Sequence, residues 1–243
     1  MVVFDDLVAE QNRLERLLDG LDEAAWMSPS GAAGWTIADV VLHLAQAEER
    51  VLTSVAGAGS GTLAASGPSL DEVMDQLVRA DRAAPAVVFQ RWRRARRAAV
   101  AALRAADPNR PLEWVETPLK PATLATTRLA EHWAHGLDIT TPLGIDFPDT
   151  PRLRHIAWLA HRSLPYALTL AGEQAHEVSC ELTAPDGTAV WRFGPPDAES
   201  AITGPAGAFC RVAARRLAPA RSGLHATGPC GVAALNVLRT YAA

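Results

Sequence analysis

Cysteine and lysine are scarce in this 243-residue chain. Only three cysteines occur, they are far apart, and none belongs to a Cys-x-x-Cys pair. That usage argues against a disulfide framework and indicates a reducing compartment. Lys120 is the single lysine, and 23 basic residues against 27 acidic ones give a net charge of −4. Such a balance does not offer the basic surface that nucleic-acid binding requires, so no nucleic-acid partner is expected.

Long apolar runs are also missing. No stretch approaches the roughly 20 uncharged apolar residues that a membrane-spanning helix needs. The first 18 residues contain acidic side chains early, unlike a signal peptide or an anchor. We therefore expect a cytoplasmic protein with no membrane partner. The hydrophobic content of 49% and the charged content of 21% are ordinary for globular proteins, and the length allows one large domain or two modest ones. The oligomeric state stays open.

The first part of the chain has the apolar periodicity of amphipathic helices. Thr36 is expected to cap one of these helices, with Asp39 in the capping-box position. A Gly/Ser-rich segment over residues 57–69 predicts a mobile connection. The helical segments cover residues 4–19, 36–55, 69–106 with an interruption at Pro85, and 121–140. Residues 1–147 are therefore predicted to form an up-down four-helix bundle with functional side chains projecting inward.

The pattern changes after residue 150. A helix is expected over residues 151–172, followed by alternating residues around the turn sequence Pro-Asp-Gly-Thr at 185–188, which predicts a β-hairpin. A strand over 199–203 and helices over 204–217 and 228–243 complete this part. The predicted fold class is therefore α+β, with a small antiparallel sheet, and the predicted domains are residues 1–147 and 148–243.

Three side chains in two predicted helices suggest a metal site. Glu131 and His135 are four residues apart and so project from the same face of a helix, and His43 lies in a second helix. Three protein ligands and one open position are typical of a catalytic divalent cation, zinc by default, with nickel, iron and manganese left open. The alternative is an ordinary polar pair at i,i+4 spacing.

Two carboxylates could orient the imidazole ligands. Asp39 lies one turn before His43, and Asp138 about one turn after His135. Either could accept a hydrogen bond from the second nitrogen of a ligand ring, and the alternative for both is a surface or capping role. His132 points about 100° away from Glu131 and is interpreted as an outer or surface residue.

Two segments resemble a known family. GWTIADVVLHL (34–44) and EHWAHGLDI (131–139) look like DinB-type metal-binding bundles, and more narrowly like the mycothiol-dependent maleylpyruvate isomerase family. The resemblance implies that His43, Glu131 and His135 hold zinc. ITGPAGAFCRVAARRL (202–217) resembles the small sterol-carrier-like α+β domain that members carry after the bundle. The likeness thus covers nearly the whole chain.

The same resemblance implies a reaction. A zinc-bound mycothiol thiolate would act as the nucleophile in isomerisation of, or S-transfer to, a small electrophilic substrate. Members commonly have a Gly-Arg dipeptide in the C-terminal domain where this chain has Ala214-Arg215. Arg215 is therefore the expected catalytic arginine, binding a substrate carboxylate, with Arg211 and Arg216 as alternatives.

Other interpretations remain open at this point. The bundle could use its metal as a Lewis acid without a thiol, or the chain could be a non-catalytic protein that binds a small ligand or a partner. The cysteines are interpreted as buried structural residues. The basic run over 91–97 is interpreted as a solvated helix face, and Trp26 and Trp35 as packing residues at the entry to the second helix.

Overall fold

The chain divides into two compact units, which meet in sequence between Phe147 and Pro148. The computed structural model describes residues 3–58, 69–115, 117–174 and 176–240. The predicted Gly/Ser-rich connection lies outside the described residues except at its two ends. That each unit is an independent domain stays a prediction, and each is described by itself below.

The first unit is helical, as predicted. Four long helices account for most of it, and two short ones, α2 and α4, precede α3 and α5. The helices are α1 (Val3–Asp19), α2 (Glu23–Met27), α3 (Ile37–Val55), α4 (Leu70–Ala80), α5 (Pro85–Ala105) and α6 (Pro121–Thr140). Among the described helices, none is both long and apolar enough to cross a membrane.

Local sequence explains where these helices begin. The Thr36 side chain accepts a hydrogen bond from the backbone of Asp39, and the Asp39 carboxylate accepts one from the backbone of Thr36, so the predicted capping box is confirmed. Ser69 and Glu72 form a second capping box at α4. Pro85 and Pro121 occupy the first turns of α5 and α6. Backbone N–H groups there have no partner within the helix, so the N–H that proline lacks costs no hydrogen bond.

Helix α6 occupies the centre of the first unit. It contacts α1, α3 and α5, while α3 packs most extensively against α5. Leu124, Leu129 and Trp133 of α6 are buried, and burial of each large apolar side chain contributes roughly 1.5–3 kcal/mol. Because α6 is covered on nearly every side, its polar residues are buried too and require partners.

The second unit combines helices with a four-stranded sheet. The predicted hairpin is confirmed, with Gly187 in the left-handed conformation (φ 72°) at its turn. The strand order is β2-β1-β3-β4. The elements are α7 (Leu153–Arg162), α8 (Leu164–Leu170), β1 (Val178–Thr183), β2 (Val190–Phe193), β3 (Ser200–Pro205), α9 (Ala206–Ala213), β4 (His225–Thr227) and α10 (Gly231–Val237).

The structure confirms the α+β class and corrects the sheet. The sheet is mixed, because β3 pairs in parallel with β1 while the β1–β2 and β3–β4 pairs are antiparallel. Strand β3 follows β2 in the chain, pairs with the edge of β1 that β2 leaves free, and runs in the same direction as β1. The predicted helix over 151–172 is two helices separated at Ser163, since Pro165 disfavours a continuous helix there.

Candidate metal centre

The structure brings His43, Glu131 and His135 together. The Oε2 atom of Glu131 lies 3.6 Å from Nε2 of His43 and 3.5 Å from Nε2 of His135. One donor atom from each of the three residues lies within 4.8 Å of the other two. The site is formed where α3 meets α6, and the i,i+4 spacing on α6 places Glu131 and His135 on the same face.

The donor geometry fits a divalent cation. Ligand bonds of about 2.0–2.1 Å in a tetrahedral zinc site separate the donor atoms by about 3.4 Å. The two separations from Glu131 Oε2, 3.5 and 3.6 Å, are close to that value. Two imidazoles and one carboxylate are also ordinary ligands for zinc and several other divalent ions. The donor set therefore fits the metal that the sequence resemblance implies.

The site is not sealed. The Glu131 side chain is 26% exposed, whereas those of His43 and His135 are 12% and 11% exposed. The two rings lie edge to face, with their centroids 5.0 Å apart. Of the three side chains, Glu131 is thus the most exposed to solvent, whereas a structural metal site is typically closed.

Only one of the two predicted orienting carboxylates contacts a histidine ring. Asp138 Oδ2 lies 2.9 Å from Nδ1 of His135. Asp39 instead accepts two hydrogen bonds from Arg82, at 2.8 Å each, and one from the backbone N–H of Thr36. The structure thus brings Asp138 into contact with His135, whereas Asp39 takes part in an ion pair and a helix cap, and an orienting role for Asp138 stays a prediction.

The three candidate ligands influence one another's pKa values. Burial raises the pKa of Glu131, but hydrogen bonds from His135 and His43 more than offset it, and the pKa lies well below its usual value. Burial lowers the pKa of His135, yet its bonds to Asp138 and Glu131 bring it above the usual value. Burial dominates at His43, whose pKa is lowered. Glu131 therefore stays ionised and available as a ligand.

A buried polar network lies next to these ligands, and sequence reasoning missed it. Nε of Arg128 donates to Glu48 at 3.0 Å, and both side chains are almost completely buried. His132 is also buried, with Nδ1 2.8 Å from the carbonyl oxygen of Arg128 and Nε2 3.2 Å from Nε1 of Trp92. The sequence does contain a signal for this network, because polar residues recur at 128, 131, 132 and 135 in an otherwise apolar helix.

The network determines the tautomer of His132. An indole N–H can only donate, so Nε2 of His132 accepts from Trp92 and the ring proton lies on Nδ1, which donates to Arg128. Burial, with a contribution from the Arg128 charge, lowers the pKa of His132 to about 3. His132 is therefore neutral and acts as a packing and hydrogen-bonding residue.

The predicted arginine lies in the second unit. Arg215 is exposed, and its guanidinium has no ion pair or hydrogen bond within the described residues. Of the alternatives, Arg211 donates to Asp149 at 2.7 Å and Arg216 donates to the carbonyl oxygen of Ala214 at 2.6 Å. Of these three arginines, Arg215 is thus the one whose guanidinium has no partner among the described residues, and its role in binding substrate stays a prediction.

Arg215 also has an unusual backbone. Its φ of 62° is left-handed, a conformation that glycine adopts most readily. The residue follows α9, whose end is closed by hydrogen bonds from the backbone N–H of Arg215 to Val212 O and from that of Arg216 to Arg211 O. This is the bonding pattern of a Schellman motif with arginine at the usual glycine position.

The other candidates from the sequence have structural roles. All three cysteines are buried, and burial raises the pKa of Cys180 to about 12, so its thiol is protonated. The basic run on α5 is not simply a solvated face, because Arg96 is buried against Trp92. Its arginines form ion pairs with α1 and α3 and with the end of α4. The pairs are Arg91 with Glu49 and Asp81, and Arg93, Arg96 and Arg97 with Glu15.

Comparison with solved structures supports the fold. The chain is similar to a histidine-to-alanine variant of mycothiol-dependent maleylpyruvate isomerase, with a TM-score of 0.63, 16% identity, and coverage of 93% of this chain and 95% of that one. A second structure of that enzyme gives a TM-score of 0.62 at the same identity and coverage. At this identity the likeness concerns the fold.

Comparison with other sequences establishes the family. Uncharacterised proteins from Mycobacterium tuberculosis strains CDC 1551 / Oshkosh and H37Rv are each 34% identical over 242 residues, which is 98% of this chain and 94% of theirs. The family model of the mycothiol maleylpyruvate isomerase N-terminal domain matches residues 7–140, more than half of the chain. The resemblance seen in the two motifs is thereby confirmed, and the chain belongs to the mycothiol maleylpyruvate isomerase N-terminal domain family.

Proposed function

We propose that this protein is a metal-dependent enzyme that uses the thiol mycothiol as a nucleophile in isomerisation of, or S-transfer to, a small electrophilic substrate. The observation that carries the proposal is that His43 and His135 direct Nε2 to the same oxygen of Glu131 at spacings that suit a shared cation. The family to which the chain belongs is named for a mycothiol enzyme, which supports the choice of thiol. The solved structures of the same fold are of a mycothiol-dependent isomerase, which supports the reaction type.

The residues of the candidate site have separate roles in this proposal. His43, Glu131 and His135 would hold the cation, and zinc is the first expectation. A bound divalent cation stabilises the thiolate form of a thiol, which is the better nucleophile. Asp138 accepts a hydrogen bond from Nδ1–H of His135, which leaves the Nε2 lone pair available to a cation in the site. The partial exposure of Glu131 gives thiol and substrate a route of approach.

The chemistry balances without an added oxidant or reductant. The thiolate sulfur adds to one carbon of an activated double bond, forming a C–S bond and moving the electron pair onto the conjugated carbonyl. Rotation about the new single bond and expulsion of the thiolate restore the double bond in the other configuration. If the adduct takes up a proton instead, the thioether is the product of S-transfer. Arg215 is proposed to bind a carboxylate of the substrate.

Metal analysis tests the site. Protein purified without added metal should contain about one equivalent of a divalent ion. His43→Ala and His135→Ala should lose the ion, because two donors do not form the site, whereas Asp146→Asn, an exposed carboxylate elsewhere in the first unit, should retain it. Full metal content in both histidine variants would contradict the assignment of the ligands.

Calorimetry with mycothiol tests the thiol. Metal-loaded protein should bind mycothiol saturably, and metal-free protein should bind it at least tenfold more weakly. Maleylpyruvate is the first substrate to test, because the solved proteins of the same fold are named for it. Metal-loaded protein that binds no mycothiol would contradict the thiol mechanism and favour Lewis-acid chemistry at the same residues. The cytoplasmic location and the small-molecule substrate remain predictions.

A further inference from the structure

The two histidines of the candidate metal centre are held in different ways. Nδ1 of His135 is hydrogen-bonded to Asp138 at 2.9 Å. Nδ1 of His43 is buried and has no hydrogen-bond partner among the described residues. A ligand imidazole is normally oriented by a hydrogen bond to its second ring nitrogen. Among the described residues, no hydrogen bond to this second nitrogen orients His43.

The ring of Trp35 supplies a contact at this position. The indole and imidazole centroids are 5.2 Å apart, with 46° between the ring planes. Trp35 directly precedes the cap residue of α3, the helix that carries His43. It is partly buried and packs on the hydrophobic core of the first unit. A large ring in this position restricts the rotation of the imidazole, and such aromatic pairs contribute about 0.5–1.5 kcal/mol beyond their buried area.

Trp35 is itself held by α4. Its indole Nε1 donates to Oδ1 of Asp75 at 2.9 Å. The other oxygen of Asp75 accepts from Nε of Arg79 at 2.7 Å, so the carboxylate is oriented on both sides. The backbone of Trp35 is anchored separately, because its carbonyl oxygen accepts hydrogen bonds from the N–H and the hydroxyl of Ser30, both 2.9 Å. Side chain and backbone are thus fixed at independent points.

We propose that Trp35 is a positioning residue for His43 and that Asp75 holds Trp35 in place, so that α4 is coupled to the metal centre. The inference rests on the proposed function, because it gives Trp35 a role toward a metal ligand. In this arrangement Asp138 orients one imidazole by a hydrogen bond, and Trp35 orients the other by ring contact. Loss of the bond to Asp75 frees the indole to rotate, and His43 loses the surface that defines its direction.

Cobalt binding by the full chain tests the proposal. Co²⁺ is added to metal-free protein, and its affinity and visible absorption spectrum are recorded. Trp35→Phe and Asp75→Ala remove the same hydrogen bond, and each should weaken Co²⁺ binding by about tenfold, the lower end of outer-shell effects on metal affinity. The double variant should be no weaker than the weaker single variant. Asp75→Asn keeps an acceptor oxygen and should restore near-native binding.

The control is Asp71→Ala, which removes an exposed carboxylate on α4. It should leave the affinity and the spectrum unchanged, and circular dichroism should show that every variant is folded. Native affinity and spectrum in both Trp35→Phe and Asp75→Ala would overturn the positioning role. Equal losses in Asp71→Ala would also overturn it, since the effect would then come from α4 in general.

A second measurement does not depend on metal. In metal-free protein, the nuclear magnetic resonance signal of the His43 Hε1 proton reports the ring current of Trp35. Asp75→Ala should move this signal toward its value in an unstructured peptide, while Asp75→Asn and Asp71→Ala should not. Wild-type protein that binds no Co²⁺ would contradict the proposed function. In that event an unmoved Hε1 signal in Asp75→Ala would still overturn the inference about Trp35.

Discussion

Nδ1 of His135 lies 2.9 Å from Oδ2 of Asp138, one turn further along the same helix. The N–H of Gly31 also donates to the Asp138 carbonyl oxygen at 2.7 Å, so the loop before α3 touches the residue that contacts His135. A carboxylate placed behind an imidazole raises its basicity and directs its free lone pair.

Removal of the Asp138 carboxylate should weaken metal binding. Asp138→Ala is expected to lower zinc affinity by about 10–100-fold, since His135 would lose the acceptor that orients its ring. Asp138→Asn keeps an acceptor oxygen without the charge and should lose less. Asp146→Asn serves as the exposed control. Competition with a chromophoric chelator measures the affinities, and equal zinc affinity in Asp138→Ala and wild type would contradict the assigned role.

Gly136 should resist the substitution that usually stabilises a helix. Gly→Ala inside a helix normally gains about 1 kcal/mol. Here a methyl group would lie 2.6 Å from Cζ of Phe147, a buried ring that also lies 3.5 Å from the guanidinium carbon of Arg13. Gly136→Ala is therefore expected to lower the free energy of unfolding by about 1–3 kcal/mol. Denaturant unfolding measures it.

A smaller side chain at 147 provides the matched test. In a Phe147→Leu background the space beside Gly136 is larger, so Gly136→Ala should be neutral or stabilising there. A loss as large as in the native background would show that the clash with Phe147 is not the cause.

The buried ion pair should respond asymmetrically to the loss of either partner. Glu48→Leu leaves the Arg128 guanidinium buried without its carboxylate, and the expected loss of stability is about 3–5 kcal/mol. Arg128→Met should be milder, because burial already raises the pKa of Glu48 and the lone carboxyl can become neutral by protonation. The double variant should lose less than the sum. Urea unfolding of metal-free protein measures all three, and a milder Glu48→Leu would contradict the charge argument.

The Asp39–Arg82 pair should make stability depend on pH in acid. Burial raises the pKa of Asp39, but hydrogen bonds from Arg82 and Thr36 more than offset it and the pKa is lowered. The folded-state pKa therefore lies below the unfolded one, so this stabilisation is complete above about pH 4 and is lost as the pH falls through the folded value.

Asp39→Asn should consequently lower the free energy of unfolding at pH 7 by about 1–2 kcal/mol. Its difference from wild type should shrink below about pH 4, because Asp39 of the unfolded wild type begins to protonate there while the folded state, with its lower pKa, protonates only at lower pH. Unfolding curves between pH 7 and pH 2.5 measure the difference. A difference that does not change over this range would show that the pair does not determine the effect.

Substitutions at Arg215 should separate stability from function. Arg215→Gly relieves the left-handed conformation (φ 62°) and should stabilise the protein by about 1 kcal/mol, whereas Arg215→Ala should not. Both remove the guanidinium, so both should lower kcat/KM for a carboxylate substrate to a similar extent, and both should retain metal. Thermal unfolding and steady-state kinetics measure the two effects. Native kcat/KM in both variants would rule out Arg215 as the substrate arginine.

Periodicity and capping residues predicted the four long helices, because those signals act within one or two turns of chain. The Asp186-Gly187 turn predicted the hairpin for the same reason. The strand that pairs with β3 could not be predicted, because the alternation of side chains along β3 would be the same beside β1 or beside β2. The three residues of β4 are too few for any alternation to identify them.

Asp39 and Asp138 show where local spacing stops being informative. Each lies about one turn from a candidate histidine, and spacing alone does not favour either. Arg82, which is 43 residues from Asp39 in the chain, donates to both oxygens of Asp39, whereas Asp138 Oδ2 lies 2.9 Å from Nδ1 of His135. The packing of distant segments therefore decided which of the two carboxylates contacts a candidate metal ligand.

The sequence alone determined the residue types and their spacing along the chain. Because the geometry of an α-helix is regular, that spacing also determined which residues share a helix face. These features were sufficient to identify His43, Glu131 and His135 as a set and to reveal the family. The 3.6 Å separation between the donor atoms of His43 on α3 and Glu131 on α6 depends on how those helices pack. The burial of Glu48 with Arg128 and the contact of Trp35 with His43 depend on packing in the same way. Only the tertiary structure decides such relationships, because they join residues that are distant in the chain and come together only when the core is formed.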